Sequence, residues 1–339
     1  MSAHTDQIAA APAAAAPPVR RGPTAGQRLQ GILAHVVWLW LAVIIAIFGL
    51  LNPFFFSVPN LQNVLVQATV LGLLGLAQSL VLLVAEIDLS IAASTGISSA
   101  LGALAIQQLG LPVGVGVVIG IGLSTLIGFI NGLCVTKLRM VSLIESLGMM
   151  ITLQGGLLAI TRGNTITDLP DSYYWIGQAT VGGWPVMPLV LLAAFLAMGF
   201  MLRRTILGRS LYATGGNAAA AFVAGIRVPQ VKIIAFTLSG FICGVAGWLL
   251  AAWQMAITSN QGEGFLLYAI AAPIIGGVSV FGGRGGTLGI LGGVLLLTVI
   301  HVGLAIVYVP SFYVTMIGGI LIFIAVAVDA LRVNVLGEG

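Results

Sequence analysis

Charged residues are scarce in this sequence. Only 6% of its 339 residues are charged, whereas 59% are hydrophobic; a soluble domain has about 25% charged residues. This scarcity excludes a soluble fold, because a surface of such composition would not stay hydrated. Cysteine is almost absent as well. Cys134 and Cys243 both lie in apolar runs, so they support neither a disulfide framework nor a metal site, and we expect them to pack as small hydrophobic residues.

Motifs for catalysis are missing too. GGRGG at 282–286 and GGN at 215–217 are rich in glycine, but neither continues to the GxxxxGK[ST] pattern that binds phosphates, so we interpret both as tight turns. His4, His35 and His301 are far apart in the sequence and have no metal-ligand spacing. We therefore expect no catalytic residue, no metal and no cofactor on this chain. The net charge of +4 comes from residues at helix ends, which argues against a nucleic-acid partner.

Apolar runs of membrane-spanning length are what the sequence has in abundance. We predict an all-α polytopic membrane protein of about ten helices, at residues 34–51, 62–84, 92–108, 112–136, 142–161, 186–202, 231–253, 267–281, 288–307 and 312–331. Pro273 lies inside the eighth run and removes a backbone hydrogen bond, so we expect a kinked or broken helix there. The 46 glycines predict closely packed helices.

Positive charge gives these helices an orientation. Residues 1–33 are rich in alanine and proline and predict a disordered tail. If that tail is cytoplasmic, every lysine and arginine except Arg162 falls on the cytoplasmic side. Both termini are then cytoplasmic, residues 34–332 form the membrane domain, and residues 333–339 form a second tail.

The largest loop on the outer side is predicted at residues 162–185. It contains the acidic and aromatic stretch DSYYW. Asp171, Tyr173, Tyr174 and Trp175 are candidates for docking an external partner. Aromatic residues are also typical of the belt at the membrane interface, and the sequence leaves both interpretations open.

The cytoplasmic segment 203–232 gathers five of the thirteen lysines and arginines. Its centre predicts a short helix: Asn217 caps the first turn, Ala218 and Ala219 favour helix, and Gly225 ends it. About two turns of helix are unstable alone in water, so this helix needs a surface to pack on. A groove on another protein and the surface of an anionic membrane are the two alternatives.

Polar residues inside the spans are candidates for a gate or a pathway, because ionisable groups are costly to bury in a membrane. These candidates are Asp88, Ser90, Asn131, Glu145 and Pro273. For the glutamates Glu86 and Glu145 three roles are open: snorkelling to the interface or pairing with Lys137 or Arg139, contacting the substrate or lining its path, and coupling to protons. Residues suited to hydroxyl-rich cargo, or equally to pairing between helices, are Gln67, Gln78, Asn131 and Gln154.

Several motifs in order resemble the permease subunits of bacterial ATP-binding-cassette sugar importers of the ribose/xylose/galactose type. They include NPFFFSVPNLQNVL, LVLLVAEIDLSIAAS, LGRSLYATGGN, AGIRVPQVKIIAFTLSGFICGVAGWL and IAAPIIGGVSVFGGRGGTLGILGGVLLLTVIHVGL. The resemblance extends from about residue 35 to 331. It implies an importer, but it does not specify the cargo.

The resemblance implies that residues 203–232 form a coupling loop whose short helix rests in a cleft of an ATP-hydrolysing subunit. The residues assigned to it are Arg209, Gly215, Gly216, Asn217, Ala218, Ala219 and Gly225. Ala218 departs from the family, which commonly has a glutamate after GGN. Asp88 and Ser90 match the GIDLS motif, whereas Glu86 stands in place of its glycine and Glu145 in place of a small or apolar residue.

The implied partners are an ATPase with two nucleotide-binding lobes, which would hold ATP and Mg²⁺, a periplasmic solute-binding protein, a second permease copy or paralogue, and a sugar or polyol. The implied location is the bacterial inner membrane. The alternative is a proton- or sodium-coupled secondary transporter that uses the intramembrane carboxylates. An intramembrane enzyme is a third possibility, and no group of residues supports it.

Overall fold

The computed structural model describes the backbone of residues 25–310, 312–320, 323, 324 and 327, and the side chains of these residues from 36 onward. The predicted tail 333–339, the first 24 residues of the other tail and much of the tenth predicted run lie outside the described residues. Within the described part the chain is helical, apart from loops and a hairpin of two short strands, β1 Thr180–Val181 and β2 Trp184–Pro185.

The helices follow the predicted runs closely. They are α1 Ala25–Leu51, α2 Val58–Leu83, α3 Ile91–Leu109, α4 Val113–Lys137, α5 Ser142–Thr161, α6 Asp171–Gln178, α7 Met187–Arg204, α8 Ile206–Gly216, α9 Ala218–Val223, α10 Val228–Gln254, α11 Leu266–Ile275, α12 Thr287–Ile306 and α13 at 312–320. Two 3-10 turns, Pro53–Phe56 and Glu263–Phe265, precede α2 and α11.

Six helices of the described part are long and apolar enough to cross a membrane, namely α2, α4, α5, α7, α10 and α12. The other predicted spans also contain helices in their described residues but differ in length or composition. Helix α1 extends from Ala25 to Leu51, so it starts nine residues before the predicted start at 34. Helix α3 contains several hydroxyl-bearing side chains, and those of Ser94 and Thr95 are among the buried ones. The structure thus establishes an all-α multi-pass membrane fold.

The eighth predicted run is shorter as a helix than expected. Helix α11 ends at Ile275, six residues before the predicted end at 281, so the break expected near Pro273 is present. The chain turns at Gly276 and Gly277, and the φ of Gly277, +88°, favours glycine. Gly276 also packs directly on Gly289 of α12, where a Cβ on either residue would overlap the other backbone.

Helix α10 is the central element, and it packs along α4, α2 and α3. Glycines allow the closest of these contacts. A Cβ on Gly128 of α4 or on Gly240 of α10 would lie 3.1 Å from the Cα of the other. Small residues are the usual way for helices to pack closely inside a membrane, so the many glycines of the sequence serve packing here.

The buried apolar side chains of the described part form three larger clusters. A central cluster joins α2, α7, α10, α11 and α12. A second joins α3 and α5 to the short helix α6, and a third joins α1 to α12. The bundle thus holds its loops at two ends, where the candidate sites lie.

Candidate coupling surface and buried polar cluster

Helix α9 has the boundaries that its sequence predicts. The Asn217 side chain accepts a hydrogen bond of 2.9 Å from the Ala220 N–H, which satisfies one of the free donors of the first turn. At the other end Gly225 has a φ of +84°, a conformation that favours glycine. Ala221 is the one residue of α9 that is buried, so most of this helix faces away from the protein.

The outer surface of α9 is apolar and lies in a basic surrounding. Phe222 and Val223 are 71% and 86% exposed, which is unusual for large apolar side chains outside the lipid-facing spans. Exposed arginines of the same segment are Arg203, Arg204, Arg209 and Arg227. We call the surface formed by α9 and these arginines the coupling surface.

A junction of two helix ends and one loop lies directly before α9. Gly215, at the end of α8, touches the end of α2 so closely that a Cβ would overlap the Leu83 carbonyl oxygen and lie 2.6 Å from the Gly283 nitrogen. The Gly283 N–H in turn donates to the same Leu83 carbonyl at 3.1 Å. We call Leu83, Gly215 and Gly283, which meet through their backbones, the glycine junction.

The GGRGG stretch completes this junction as a turn, as its sequence predicts. Gly282, Gly283 and Gly285 have φ values of +86°, +70° and +150°. The Tyr212 hydroxyl of α8 donates to the Gly285 carbonyl at 2.8 Å. Burial raises the pKa of Tyr212, which favours the neutral, donating form of the hydroxyl.

Glu86 and Lys232 form an ion pair beside the junction. Ion pairing, one of the roles left open for Glu86, is present, but the partner is Lys232 instead of Lys137 or Arg139. Helix α10 begins at Val228, so its first turns bring Lys232 to the loop that follows α2. The ion pair ties residues 84–90 to the helix that directly follows the coupling surface.

Four of the five gate candidates meet in one buried cluster. Asp88 Oδ1 lies 2.7 Å from Ser90 Oγ and accepts from the Ser90 N–H at 2.8 Å. Ser90 Oγ lies 2.8 Å from the Asn131 amide group, whose other end lies 3.2 Å from Glu145 Oε1. The cluster joins the loop after α2 to α4 and α5. We call it the buried polar cluster.

Glu145 lies deeper than expected. Its side chain is only 6% exposed, and its contact is Asn131 instead of the expected Lys137 or Arg139. Its second oxygen, Oε2, has no hydrogen-bond partner among the described residues. The reason is the orientation of α5, which directs Glu145 inward in its first turn.

Ser142 and Ser146 belong to the same cluster, and the sequence reasoning missed them. The Ile87 N–H donates to Ser142 Oγ at 3.3 Å, and the Leu89 N–H donates to Ser146 Oγ at 3.0 Å. Positions 142, 145 and 146 share one helix face, so this spacing was the signal available in the sequence. Pro273, the fifth gate candidate, lies elsewhere and faces Gly75 of α2.

The four docking candidates all lie on α6, and they separate into two pairs. Tyr173 and Tyr174 are buried, so their proposed place on a docking surface is wrong. The Tyr173 carbonyl accepts from Trp248 Nε1 at 3.3 Å, and the Tyr174 hydroxyl accepts from the Leu169 N–H at 3.3 Å. Helix α6 is short, and its apolar face packs on α10. Asp171 and Trp175 remain exposed.

Residues 60–326 match the sequence profile of a family described as branched-chain amino acid transport system / permease component. The match includes the coupling surface, the glycine junction and the buried polar cluster. The described residues hold no group of three or more metal-binding side chains.

Curated relatives match over most of their length. The ribose import permease protein of Bacillus subtilis (strain 168) is 36% identical over 294 residues, which are 86% of this chain and 91% of the relative. The D-allose transport system permease protein of Escherichia coli (strain K12) is 35% identical over 292 residues, 86% of this chain and 90% of the relative.

A fructose import permease protein of Rhizobium meliloti is 34% identical over 319 residues, 89% of this chain and 88% of the relative. The family description refers to amino acids, whereas these relatives are named for sugars. Family membership therefore establishes the kind of protein but not its cargo. Membership also favours an import permease over the ion-coupled secondary transporter. The chain belongs to the family of membrane-spanning permease components of bacterial import systems.

Proposed function

We propose that this protein is the membrane-spanning subunit of an ATP-driven, binding-protein-dependent importer of a sugar or polyol. The chain offers no phosphate-binding motif, so the energy would come from a separate ATPase that binds ATP and Mg²⁺. The relatives named for ribose, allose and fructose support a hydroxyl-rich cargo. In this arrangement the protein lies in the bacterial inner membrane, crosses it about ten times and has both termini in the cytoplasm.

The observation that carries the proposal is the coupling surface. Helix α9 is capped at both ends and exposes Phe222 and Val223. Exposed aromatic anchors in a small patch are typical of a protein interface. The surrounding arginines favour an acidic rim on the partner, and their charge would also speed its association.

The contacts around α9 support a pathway by which movement of α9 would be transmitted to the membrane helices. Movement of α9 would act on Leu83 and Gly283 through the glycine junction, and on residues 84–90 through the ion pair of Glu86 with Lys232. Those residues end at the buried polar cluster, which holds α4 and α5. Closure of the ATPase would then move α4 and α5 relative to α10. This movement would open the cargo pathway first to one side of the membrane and then to the other.

Further partners follow from the same arrangement. A two-lobed ATPase has two clefts, and one chain supplies one coupling surface, so we expect a second permease copy or a paralogue. A periplasmic solute-binding protein would dock on the outer loops, where Asp171 and Trp175 are exposed.

A matched pair of substitutions tests the coupling surface. Phe222→Ser removes the exposed anchor of α9, and Ile206→Ser removes a similarly exposed apolar residue of the same segment (71% and 75% exposed). Affinity purification from native membranes in gentle detergent, with partners identified by mass spectrometry, should recover an ATPase with the wild type and with Ile206→Ser. Phe222→Ser should lose it, together with sugar uptake. Ala219→Arg should have the same effect as Phe222→Ser.

Two results would contradict the proposal. The first is equal recovery of the ATPase and equal uptake in Phe222→Ser, Ala219→Arg and the wild type. The second is recovery of the chain alone with uptake driven by an ion gradient, which would move the mechanism to Asp88 and Glu145.

A further inference from the structure

An outer cavity of about 400 Å³ lies between α5 and the loop at residues 256–265. Small-molecule sites have volumes of about 300–1,000 Å³. This space is lined by polar side chains on one side and by apolar side chains of α5 on the other. The polar ones are Gln154, Ser259, Asn260, Gln261 and Glu263.

The loop that forms one wall is held rigidly. Gly96 of α3 approaches it so closely that a Cβ would overlap the Gln261 carbonyl oxygen, and a Cβ on Gly262 would lie 2.5 Å from the Ala92 carbonyl oxygen. Ile257 and Ile166 exchange two backbone hydrogen bonds of 2.9 Å. A wall fixed in this way needs little ordering when a ligand binds.

Gln261 points to a ligand in this cavity. Its side chain is only 4% exposed, and its oxygen Oε1 accepts from the Thr258 N–H at 3.3 Å and from Thr258 Oγ1 at 3.2 Å. Its nitrogen Nε2 has no hydrogen-bond partner among the described residues. A buried donor without an acceptor is costly. A rotation of the amide toward the cavity, where a ligand oxygen would accept from Nε2, would remove that cost.

We propose that this cavity is a contact site for the sugar as it enters the membrane domain, an inference that rests on the proposed function. Gln154 and Asn260 supply donors and acceptors to the sugar hydroxyls, and Gln261 Nε2 donates to one of them once its amide has rotated toward the cavity. The Glu263 carboxylate accepts from hydroxyl groups at the rim. Ile151 and Leu158 offer an apolar wall to the C–H face of the ring. The lining contains no lysine or arginine, which suits a neutral cargo better than an anionic one.

A second outer crevice, between α2 and α12, is less suited to this role. It contains Gln67, Tyr268 and His301, and two of its donors, on Gln67 and Tyr268, are satisfied within the protein. Gln67 Nε2 donates to Asn63 Oδ1 at 3.0 Å, and the Tyr268 hydroxyl donates to the Val314 carbonyl at 3.4 Å.

Transport by the complete system tests the cavity. Proteoliposomes with the permease, its ATPase and its binding protein are assayed with radiolabelled D-ribose, D-allose and D-fructose. Gln261→Leu and Gln154→Leu should each lower the maximal uptake of the transported sugar about tenfold, because each removes a hydrogen bond to the cargo. ATP hydrolysis stimulated by the binding protein should change less than about twofold. Gln62→Leu is the matched control, since this outer glutamine donates to the Gly183 carbonyl and lies outside the cavity.

The possible outcomes separate the two proposals. If the wild type moves none of the three sugars with ATP, the proposed function and the cavity fail together. If the wild type transports a sugar and both variants match it, the cavity is wrong while the proposed function stands. A parallel loss of uptake and hydrolysis, or an equal loss in Gln62→Leu, would indicate a structural effect and would also count against the cavity.

A second readout does not depend on transport. Ser259→Cys, in a chain with Cys134→Ser and Cys243→Ala, is labelled from the outside with a membrane-impermeant thiol reagent. A saturating mixture of the three sugars should slow the labelling severalfold, and glycine betaine at the same osmolality should not. Equal labelling rates in both solutions would overturn the proposal.

Discussion

The two ends of this bundle are built from different kinds of contact. At the end that carries the coupling surface, the ends of α2 and α8 and the GGRGG loop meet through backbone atoms, with Gly215, Gly283 and the Leu83 carbonyl in direct contact. At the opposite end of α10, backbone contacts such as that of Gly177 with Ala252 are joined by side-chain hydrogen bonds. There the Gln178 amide donates to the Trp253 carbonyl at 3.0 Å, and the Tyr174 hydroxyl accepts from the chain before α6.

This difference matters because the two kinds of contact deform differently. A backbone contact between glycines has no rotatable side chain to absorb a displacement, so it passes movement on to the next element. Side-chain amides and hydroxyls can reorient, and this end also contains the cavity lined by Gln261, whose Nε2 has no hydrogen-bond partner among the described residues. The difference fits the proposed roles, in which the end with the coupling surface transmits force and the opposite end receives cargo.

The strongest test of this contrast is Gly215→Ala. Its new methyl group would overlap the Leu83 carbonyl oxygen, so we expect a loss of about 3 kcal/mol of stability and no coupled transport. Gly216→Ala is the control, because a Cβ there meets nothing within 4 Å. Thermal unfolding in detergent and sugar uptake measure both effects. Similar behaviour of the two variants would show that the junction is loose.

Asn131→Leu should have the next largest effect. It removes the amide between Ser90 and Glu145 and leaves buried polar groups without a partner, which costs about 2 kcal/mol. The thermal midpoint should fall by several degrees. Gln107→Leu, at the exposed outer end of α3, should change it little. An unchanged midpoint in Asn131→Leu would mean that the buried polar cluster contributes no stability.

The ion pair of Glu86 and Lys232 should contribute about 1 kcal/mol. Glu86→Lys and Lys232→Glu should each slow uptake severalfold, because each places like charges in contact at the junction. The double variant should recover most of the rate. Failure of the double variant to recover, with normal amounts of protein in the membrane, would show that the pair does not act as a unit.

The smallest expected effect belongs to the outer end. Tyr174→Phe removes the acceptor of the Leu169 N–H and should cost about 1 kcal/mol, without a change in ATPase binding. Trp175→Phe, at an exposed position of the same helix, should leave stability unchanged. Thermal unfolding and copurification with the ATPase measure both. Loss of the ATPase in Tyr174→Phe would contradict the separation of the two ends.

The sequence alone determined much of this protein. Apolar runs place the helices, since burying a backbone in a membrane requires internal hydrogen bonds. Local chemistry also placed α9, because Asn217 and Gly225 act on neighbours within a few residues. The same reasoning located the break after Pro273. Each of these features depends on residues close together in the chain.

Only the tertiary structure decided which distant residues meet. Glu86 pairs with Lys232, 146 residues away in the chain. Asp88 and Ser90 lie against Asn131 of α4, which in turn contacts Glu145 of α5. Tyr173 and Tyr174 became buried because α6 packs on α10. Such pairings depend on how helices rotate and cross, and apolar helices of low amphipathicity carry little information about which face turns inward. The cavity lined by Gln261, whose Nε2 has no partner among the described residues, likewise forms only where α3, α5 and the loop at residues 256–265 pack together.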